Sequence, residues 1–434
     1  MRTLAVLLLA LALPAWPAAR AADLVQEGAY LARAGDCVAC HTQPGGKPFA
    51  GGLKLATPIG QIYSTNITPD RQTGIGAYGR DDFARALRQG IALDGHTLYP
   101  AMPYPAYARL TDADVDALYA YFMQSVAPVH AVNRPVDIPW PLSMRWPLSI
   151  WRLLFAPAAR PFAAPAGADP VLARGAYLVD GLGHCGSCHT PRAITMQEKA
   201  STAGDGPAFL AGGAPVDDWV PVSLRSDTSP GLAGWSEAEI VQYLKTGRTR
   251  QSAVFGAMSD VVVHSTQYLS EADLHAIAVY LKSLGGAPGR PPFKVDPATA
   301  RALQAGDDAG PGAALYVDNC NACHRSDGMG YERIFPPLAG NSAANAADPS
   351  SVIHVILSGS TLPGVADAPS AVTMAPYAWR LDDGQVAALA TFVRQSWGNK
   401  GGAVTADEVE KVRAAASPAE KARWQAAMPE RDGP

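Results

Sequence analysis

Three short stretches decide how this chain folds: Cys37-Val-Ala-Cys40-His41, Cys185-Gly-Ser-Cys188-His189 and Cys320-Asn-Ala-Cys323-His324. The chain has six cysteines, and every one of them belongs to a C-x-x-C-H. That spacing is the one covalent haem attachment requires: two thiols add to the vinyl groups and the adjacent histidine sits under the iron. A disulfide framework would pair the cysteines without needing the histidines. A thioredoxin-like dithiol would sit in a βαβ context that is absent here, and zinc would need four ligands where each cluster supplies three at most. The expectation is three haem c groups, held through Cys37 and Cys40, Cys185 and Cys188, and Cys320 and Cys323, with His41, His189 and His324 as proximal iron ligands.

Working outward, the surroundings of the three motifs repeat, and a repeat must be read before a fold. Ahead of them lie Gly28-Ala-Tyr-Leu31, Gly175-Ala-Tyr-Leu178 and Gly312-Ala-Ala-Leu-Tyr316, each one helix-length from its first cysteine. After them come helical patterns stopped by glycine, over Asp81 to Gly90, Ser236 to Gly247 and Pro349 to Gly359; glycine just past the last turn is the usual stop. A final helix in each unit opens on a capping-box-like start at Thr111, Ser270 or Asp382, followed by apolar residues at helical spacing that read as core. No strand alternation stands out. The fold expected is mainly α: three consecutive class I cytochrome c-type helical domains with long loops. Glycine (41) and proline (37) lie above the ordinary ~12 % together, which suits that picture better than a helical bundle.

Each iron has a sixth position, commonly filled in electron-transfer cytochromes by a methionine thioether. One methionine lies between the second and third helices of every repeat: Met102 in Pro100-Ala-Met-Pro103, Met258 in Gly256-Ala-Met-Ser259 and Met374 in Thr373-Met-Ala-Pro376. A methionine is ordinarily core filler, but its recurrence in one slot points to ligation. Met329 is too close to His324, and His96, His264 and His354 share no common slot. With the irons six-coordinate there is no open site for peroxide, oxygen or nitrite. The chemistry expected is one-electron relay with no catalytic residue in this chain. Gly74-Ile-Gly76 lacks the rest of a dinucleotide fingerprint and reads as loop.

The first residues read as an export signal: Met1-Arg2, an apolar run from Leu4 to Leu13, and Ala19-Arg-Ala21 as the cleavage site. Net charge is −4 and no Lys/Arg block occurs, which excludes nucleic acid as a partner. The organisation expected is a signal peptide over 1–21, domains over 22–131, 169–284 and 309–399, linkers over 132–168 and 285–308, and a polar tail over 400–434. The first linker holds Trp140, Trp146 and Trp151 among leucines and isoleucine from Ile138 to Phe155, with only Arg145 and Arg152 charged. Two readings stay open for it: a segment lying at headgroup level on a membrane, or packing between domains or against a partner. The tail, with its Glu, Lys and Arg residues, reads as solvated helix or disorder.

The strings around the motifs are more specific than the motifs. Ile62-Tyr-Ser-Thr-Asn-Ile-Thr-Pro-Asp70, Leu98-Tyr-Pro-Ala-Met-Pro-Tyr104, Gly234-Trp-Ser-Glu-Ala-Glu-Ile240, Val263-His-Ser-Thr-Gln267, Phe335-Pro-Pro-Leu-Ala-Gly340, Trp379-Arg-Leu-Asp-Asp383 and Ser396-Trp-Gly-Asn399 resemble the triple-haem cytochrome c subunit of membrane-bound bacterial dehydrogenases. The resemblance runs from about Gly28 to Asn399. It implies an electron-transfer subunit at the periplasmic face of the cytoplasmic membrane, in peripheral contact with it. Such a subunit takes electrons from a catalytic dehydrogenase subunit carrying flavin or pyrroloquinoline quinone, which oxidises an alcohol, sugar or sugar acid, and passes them to ubiquinone. It also carries over the same cysteines, histidines and methionines as haem-binding residues. Similar subunits serve molybdenum hydroxylases acting on aldehydes or N-heterocycles, and a stand-alone haem enzyme is the third class to exclude.

Overall fold

A computed structural model describes residues 16–226, 231–285 and 293–428. Residues 1–15 of the expected signal peptide and 286–292 of the second linker lie outside the described residues. The first unit runs α1 (Trp16–Ala34), α2 (Cys37–Cys40), a hairpin of β1 (Lys54–Thr57) and β2 (Gly60–Tyr63), α3 (Arg80–Gln89), α4 (Tyr104–Tyr107) and α5 (Asp112–Gln124). The expected cleavage point after Ala21 falls inside α1. Helix α6 (Trp146–Phe155) follows on the connection. The second unit has α7 (Pro170–Tyr177), which continues into one wide π turn over Leu178–Leu182, then α8 (Gly186–His189), α9 (Glu237–Thr246), α10 (Ala257–His264) and α11 (Glu271–Ser283). After α12 (Ala298–Gln304), the third unit has α13 (Pro311–Asn319), α14 (Asn321–His324), α15 (Ser342–Asn345), α16 (Ser350–Ser358), a ribbon of β3 (Ser360–Leu362) and β4 (Val372–Met374), and α17 (Asp383–Gln395). Helices α18 (Ala406–Ala415) and α19 (Pro418–Ala426) complete the chain.

The helix ends obey local chemistry. Side chains of Thr111, Ser270 and Asp382 accept from the backbone N–H three residues on, capping α5, α11 and α17. Helices α3, α9 and α16 stop at Gly90, Gly247 and Gly359, all at positive φ (65°, 73° and 66°), where a side chain would be strained. In every unit the first long helix crosses the last at a glycine. A Cβ on Gly28 would lie 1.9 Å from the Ala117 carbonyl oxygen, one on Gly175 2.0 Å from that of Ala276, and one on Gly312 2.4 Å from that of Ala388. The glycine-aromatic segments seen in the sequence therefore exist to let two helix backbones meet.

Units one and two form a matched pair. Tyr30, two residues after Gly28, donates its hydroxyl to Asp273 at the start of α11 (2.6 Å). Tyr177, two residues after Gly175, donates to Asp114 at the start of α5. Each unit thus hands its tyrosine to the other's terminal helix, and one continuous apolar core joins them, from Leu31, Leu118 and Phe122 to Leu182, Leu274 and Ile277. Unit three lacks a tyrosine at that position; its Tyr316 is displaced by two residues, is fully buried and donates to the Arg325 carbonyl. It has its own core, around Tyr316, Leu357, Val386, Leu389 and Trp397. A smaller cluster of Val254 and Val262 with Leu362 and Val365 forms its seam with unit two.

One expectation is corrected, and the tail and the first linker are placed. Two short antiparallel ribbons exist where no strand was expected; at three and four residues a strand they are too brief for alternation to register. The tail is mostly helical as far as residue 428 and most of its side chains are exposed, as a solvated helix would have them, but one side of it is docked. Val409 and Trp424 are buried in the third core, and Arg413 pairs with Asp383 (2.6 Å) while donating to the Ala378 and Leu381 carbonyls. The first linker is strapped down at both ends, Asp137 bridging to Gln61 and Phe162 donating its N–H to the Arg109 carbonyl (2.7 Å).

Candidate functional site

Cys37 to Cys40 span one helical turn, which brings two thiols to the same side with His41 at its end; α8 and α14 hold the same turn for the other two motifs. All six cysteines are free of disulfides. Burial raises the Cys37, Cys185 and Cys320 thiols to about 12 and the Cys40 thiol to about 11. Burial of this kind favours an uncharged sulfur, as in a thioether.

The three histidines are held alike. The Nδ1 of His41 lies 2.7 Å from the Thr65 carbonyl oxygen, that of His189 2.7 Å from Val222 O, and that of His324 2.9 Å from Pro336 O. A carbonyl can only accept, so Nδ1 carries the proton and Nε2 keeps its lone pair, the tautomer an iron ligand requires. Burial lowers the pKa of all three rings, which favours neutral imidazole.

A second clip, invisible to spacing arguments, acts on the histidine backbone. Gly51 N–H donates to His41 O (2.8 Å), Gly212 to His189 O (2.8 Å) and Gly330 to His324 O (3.1 Å). These glycines all have positive φ, at 74°, 100° and 60°. Two residues before them stand Phe49, Leu210 and Gly328, again at positive φ, and their carbonyls accept from Ile67, Leu224 and Leu338. Those three lie two residues past the carbonyls that hold Nδ1. Each unit therefore builds one and the same loop-on-loop clasp around its histidine.

The methionines occupy one topological slot in three local conformations. Each lies on the segment that folds back onto the glycine ending the preceding helix. Leu98 N–H donates to Gly90 O and Val254 N–H to Gly247 O, both at 2.8 Å and both four residues before the methionine. In unit three Ser360, next to Gly359, pairs directly with Met374 on β4. Met102 sits in a turn against the core shared by units one and two, and Met258 in the first turn of α10 against the seam cluster. Three of the four competing side chains are otherwise engaged or exposed, and His264 is half-buried. His96 pairs with Asp94 (2.5 Å), buried His354 with Glu420 (2.5 Å), and Met329 is exposed. In each unit two thiols on one turn and the adjacent Nε2 fit a covalently attached haem.

The first two attachment turns adjoin. The Gly35 carbonyl, two residues before Cys37, accepts from the Tyr107 hydroxyl (3.0 Å) and lies 3.3 Å from Nε2 of His184, the residue before Cys185. Arg33 and Ser265 add bonds across the same junction.

Fold and site together define a cytochrome c. The cytochrome c family model matches residues 25–126 and 309–397, which contain the first and third motifs. The middle unit falls between these spans, yet has the same helix crossing and histidine clasp. The chain is 56 % identical over 394 residues to the gluconate 2-dehydrogenase cytochrome c subunit of Pantoea cypripedii, covering 90 % of this chain and 89 % of that one. It is 54 % identical to the cytochrome c subunit of the quinone alcohol dehydrogenase of Gluconacetobacter polyoxogenes, covering 92 % and 86 %. To the fructose dehydrogenase cytochrome subunit of Gluconobacter japonicus it is 39 % identical, covering 92 % and 84 %. The chain belongs to the family of cytochrome c subunits of bacterial dehydrogenases, and its chemistry is electron transfer through covalently bound haem c.

Proposed function

We propose that this chain is a three-haem relay. Cys37 and Cys40, Cys185 and Cys188, and Cys320 and Cys323 would hold the haems, and His41 and Met102, His189 and Met258, and His324 and Met374 would supply the iron's protein ligands. When bound, each haem supplies one-electron iron chemistry. The chain contributes the neutral imidazoles, the thioethers that favour a high potential, and a fixed spacing between sites. The relay would run from a catalytic subunit bearing flavin or pyrroloquinoline quinone, acting on an alcohol, sugar or sugar acid, to ubiquinone, in an exported protein at the periplasmic face of the membrane. The domain limits expected from sequence belong to the same proposal.

The observation that carries the reading is the threefold clasp, which leaves Nε2 of His41, His189 and His324 as the available lone pair. The test is to tag the mature chain, purify it from detergent-solubilised membranes, count haems by mass, and identify the cofactor of whatever co-purifies. Three haems and a flavin or pyrroloquinoline-quinone partner whose substrate reduces them would support the proposal. A molybdenum partner would move the substrate to aldehydes or N-heterocycles. Fewer than three haems, or oxidation of substrate by this chain alone, would overturn it.

A further inference from the structure

Helix α6 is amphipathic in the wrong direction. Trp146, Ile150, Leu153 and Leu154 recur at helical spacing, as a core-facing stripe would, yet this stripe faces solvent. Leu153 is 78 % exposed, Leu154 66 % and Trp146 63 %, and Trp140 just before the helix is 80 % exposed. Leu142 and Met144 extend the patch along the connection, and Ile194, in the loop after the second haem motif, is wholly exposed. An apolar surface of this extent on one element marks an interaction site.

The face is also held rigidly. Ser149 Oγ meets Thr97 Oγ1 at 2.9 Å, Arg145 donates to Thr97 O and stacks over the Tyr99 ring (4.2 Å), and Trp151 Nε1 donates to Thr195 O (2.7 Å). These contacts fasten one side of α6 to the Met102 segment of unit one and to the loop carrying Ile194 in unit two. The stripe on the other side is therefore presented by a fixed platform.

Charge selects the occupant. From Ile138 to Ala168 there is no aspartate or glutamate, while Arg145, Arg152 and Arg160 are present, in a chain whose net charge is −4. Exposed tryptophans and leucines over a locally cationic backbone match an anionic bilayer surface, where indole and guanidinium settle at the headgroups and the aliphatic side chains below them. No described helix is long and apolar enough to cross a membrane, so contact here means lying in the interface. We infer that Trp140, Trp146, Leu153 and Leu154, on a segment with exposed Arg160 and no carboxylate, form the face by which this chain docks on anionic lipid. The inference deepens the proposed relay, whose quinone acceptor is lipid-soluble, and rests on that reading for its purpose. Its residues hold no haem, so the two fail separately.

The test uses the full haem-loaded mature chain and vesicles. The parent is expected to co-sediment with equimolar phosphatidylglycerol–phosphatidylcholine vesicles, more weakly with phosphatidylcholine alone, and to have its tryptophan fluorescence quenched by brominated lipid. The variant Trp140→Ser, Trp146→Ser, Leu153→Ser, Leu154→Ser alters only exposed side chains. It should keep the parent's visible spectrum and circular dichroism while its partition falls by about a hundredfold. A parent that ignores both vesicles, or a variant that binds them as the parent does, would overturn the inference. So would a variant that keeps vesicle binding but loses its catalytic subunit, since the face would then be a protein interface. A misfolded quadruple variant is replaced by Leu153→Ser, Leu154→Ser alone, for which the same outcomes decide.

Discussion

The helix crossing in unit two offers a test of the fold with an unusual sign. Gly175→Ala changes a residue within α7, where the usual effect of alanine is to stabilise by about 1 kcal/mol. Here the new methyl would sit 2.0 Å from the Ala276 carbonyl oxygen and 2.6 Å from Tyr280 Cβ, against an ordinary contact of 3.4 Å or more. The obstacle is backbone and cannot rotate away, so α7 and α11 must part by more than an ångström. Overpacking against backbone falls at the upper end of the usual range, ~3 kcal/mol, which outweighs the propensity gain and leaves a net loss of about 2 kcal/mol. In the cooperative pair formed by units one and two that is a fall of about 5 °C in the unfolding temperature, measured by calorimetry on the haem-loaded chain. Gly28→Ala should act equally and on the same transition, because units one and two share a core, whereas Gly312→Ala, with 2.4 Å of room, should act less and on the third unit. Gly234→Ala, which meets nothing within 4 Å, is the control and should shift stability by less than ~0.5 kcal/mol. If Gly175→Ala melts at or above the parent temperature, or no lower than the control, the close crossing is not what the glycine serves.

Met102→Ala, Met258→Ala and Met374→Ala should each lower the potential of one haem and open that iron to carbon monoxide, read by spectroelectrochemical titration; three unchanged titrations would sink the ligand assignment. Arg248, 5 % exposed, donates to the Pro363 and Ser370 carbonyls of unit three at 2.8 and 2.9 Å. Arg248→Ala should weaken that seam by about 3 kcal/mol and lower the third unit's melting transition, and an unchanged third-unit transition would count against it. Burial opposes ionisation of Glu420, but hydrogen bonds from His354 and Ser417 overcome it and hold the carboxyl down from 4.5 to about 2. A depressed carboxyl stabilises above its unfolded value, so docking of α19 should be full above pH ~4.5 and fade as pH falls toward 2. Hydrogen exchange over residues 418–426 should show this step in the parent and lose it in Glu420→Gln; an identical step in the variant would refute the pairing.

The helices were legible from sequence because their signals are local. Thr111, Ser270 and Asp382 cap the helices they were expected to cap, and Gly90, Gly247 and Gly359 end theirs. The histidine clasp was not legible, since its glycines follow their histidines at three different distances, ten residues to Gly51, 23 to Gly212 and six to Gly330. Motif spacing finds what lies on one turn and misses what a loop of variable length brings back. The docked side of the tail was missed for a related reason: Val409, Val412 and Ala416 make a stripe of barely two turns among charged residues and Trp424 stands apart from it, so only the groove beside α16 and α17 gives them meaning.

The long-range pairings show why the third unit differs in sequence from the first two. Tyr30 with Asp273 and Tyr177 with Asp114 join residues 243 and 63 positions apart, and each needs a tyrosine two places after the crossing glycine. Where unit three has alanine at that place, no such exchange is available, and it is attached instead through Arg248 and the small Val254–Leu362 cluster. Units one and two are thus bound by a shared core and by a carbonyl lying between their attachment turns, at Gly35. Unit three is held by a narrower seam. In the proposed relay, the first gap would be set by the fold of the pair itself. The second would be set by a few side chains, which makes it the gap that substitution can tune without unfolding either neighbour.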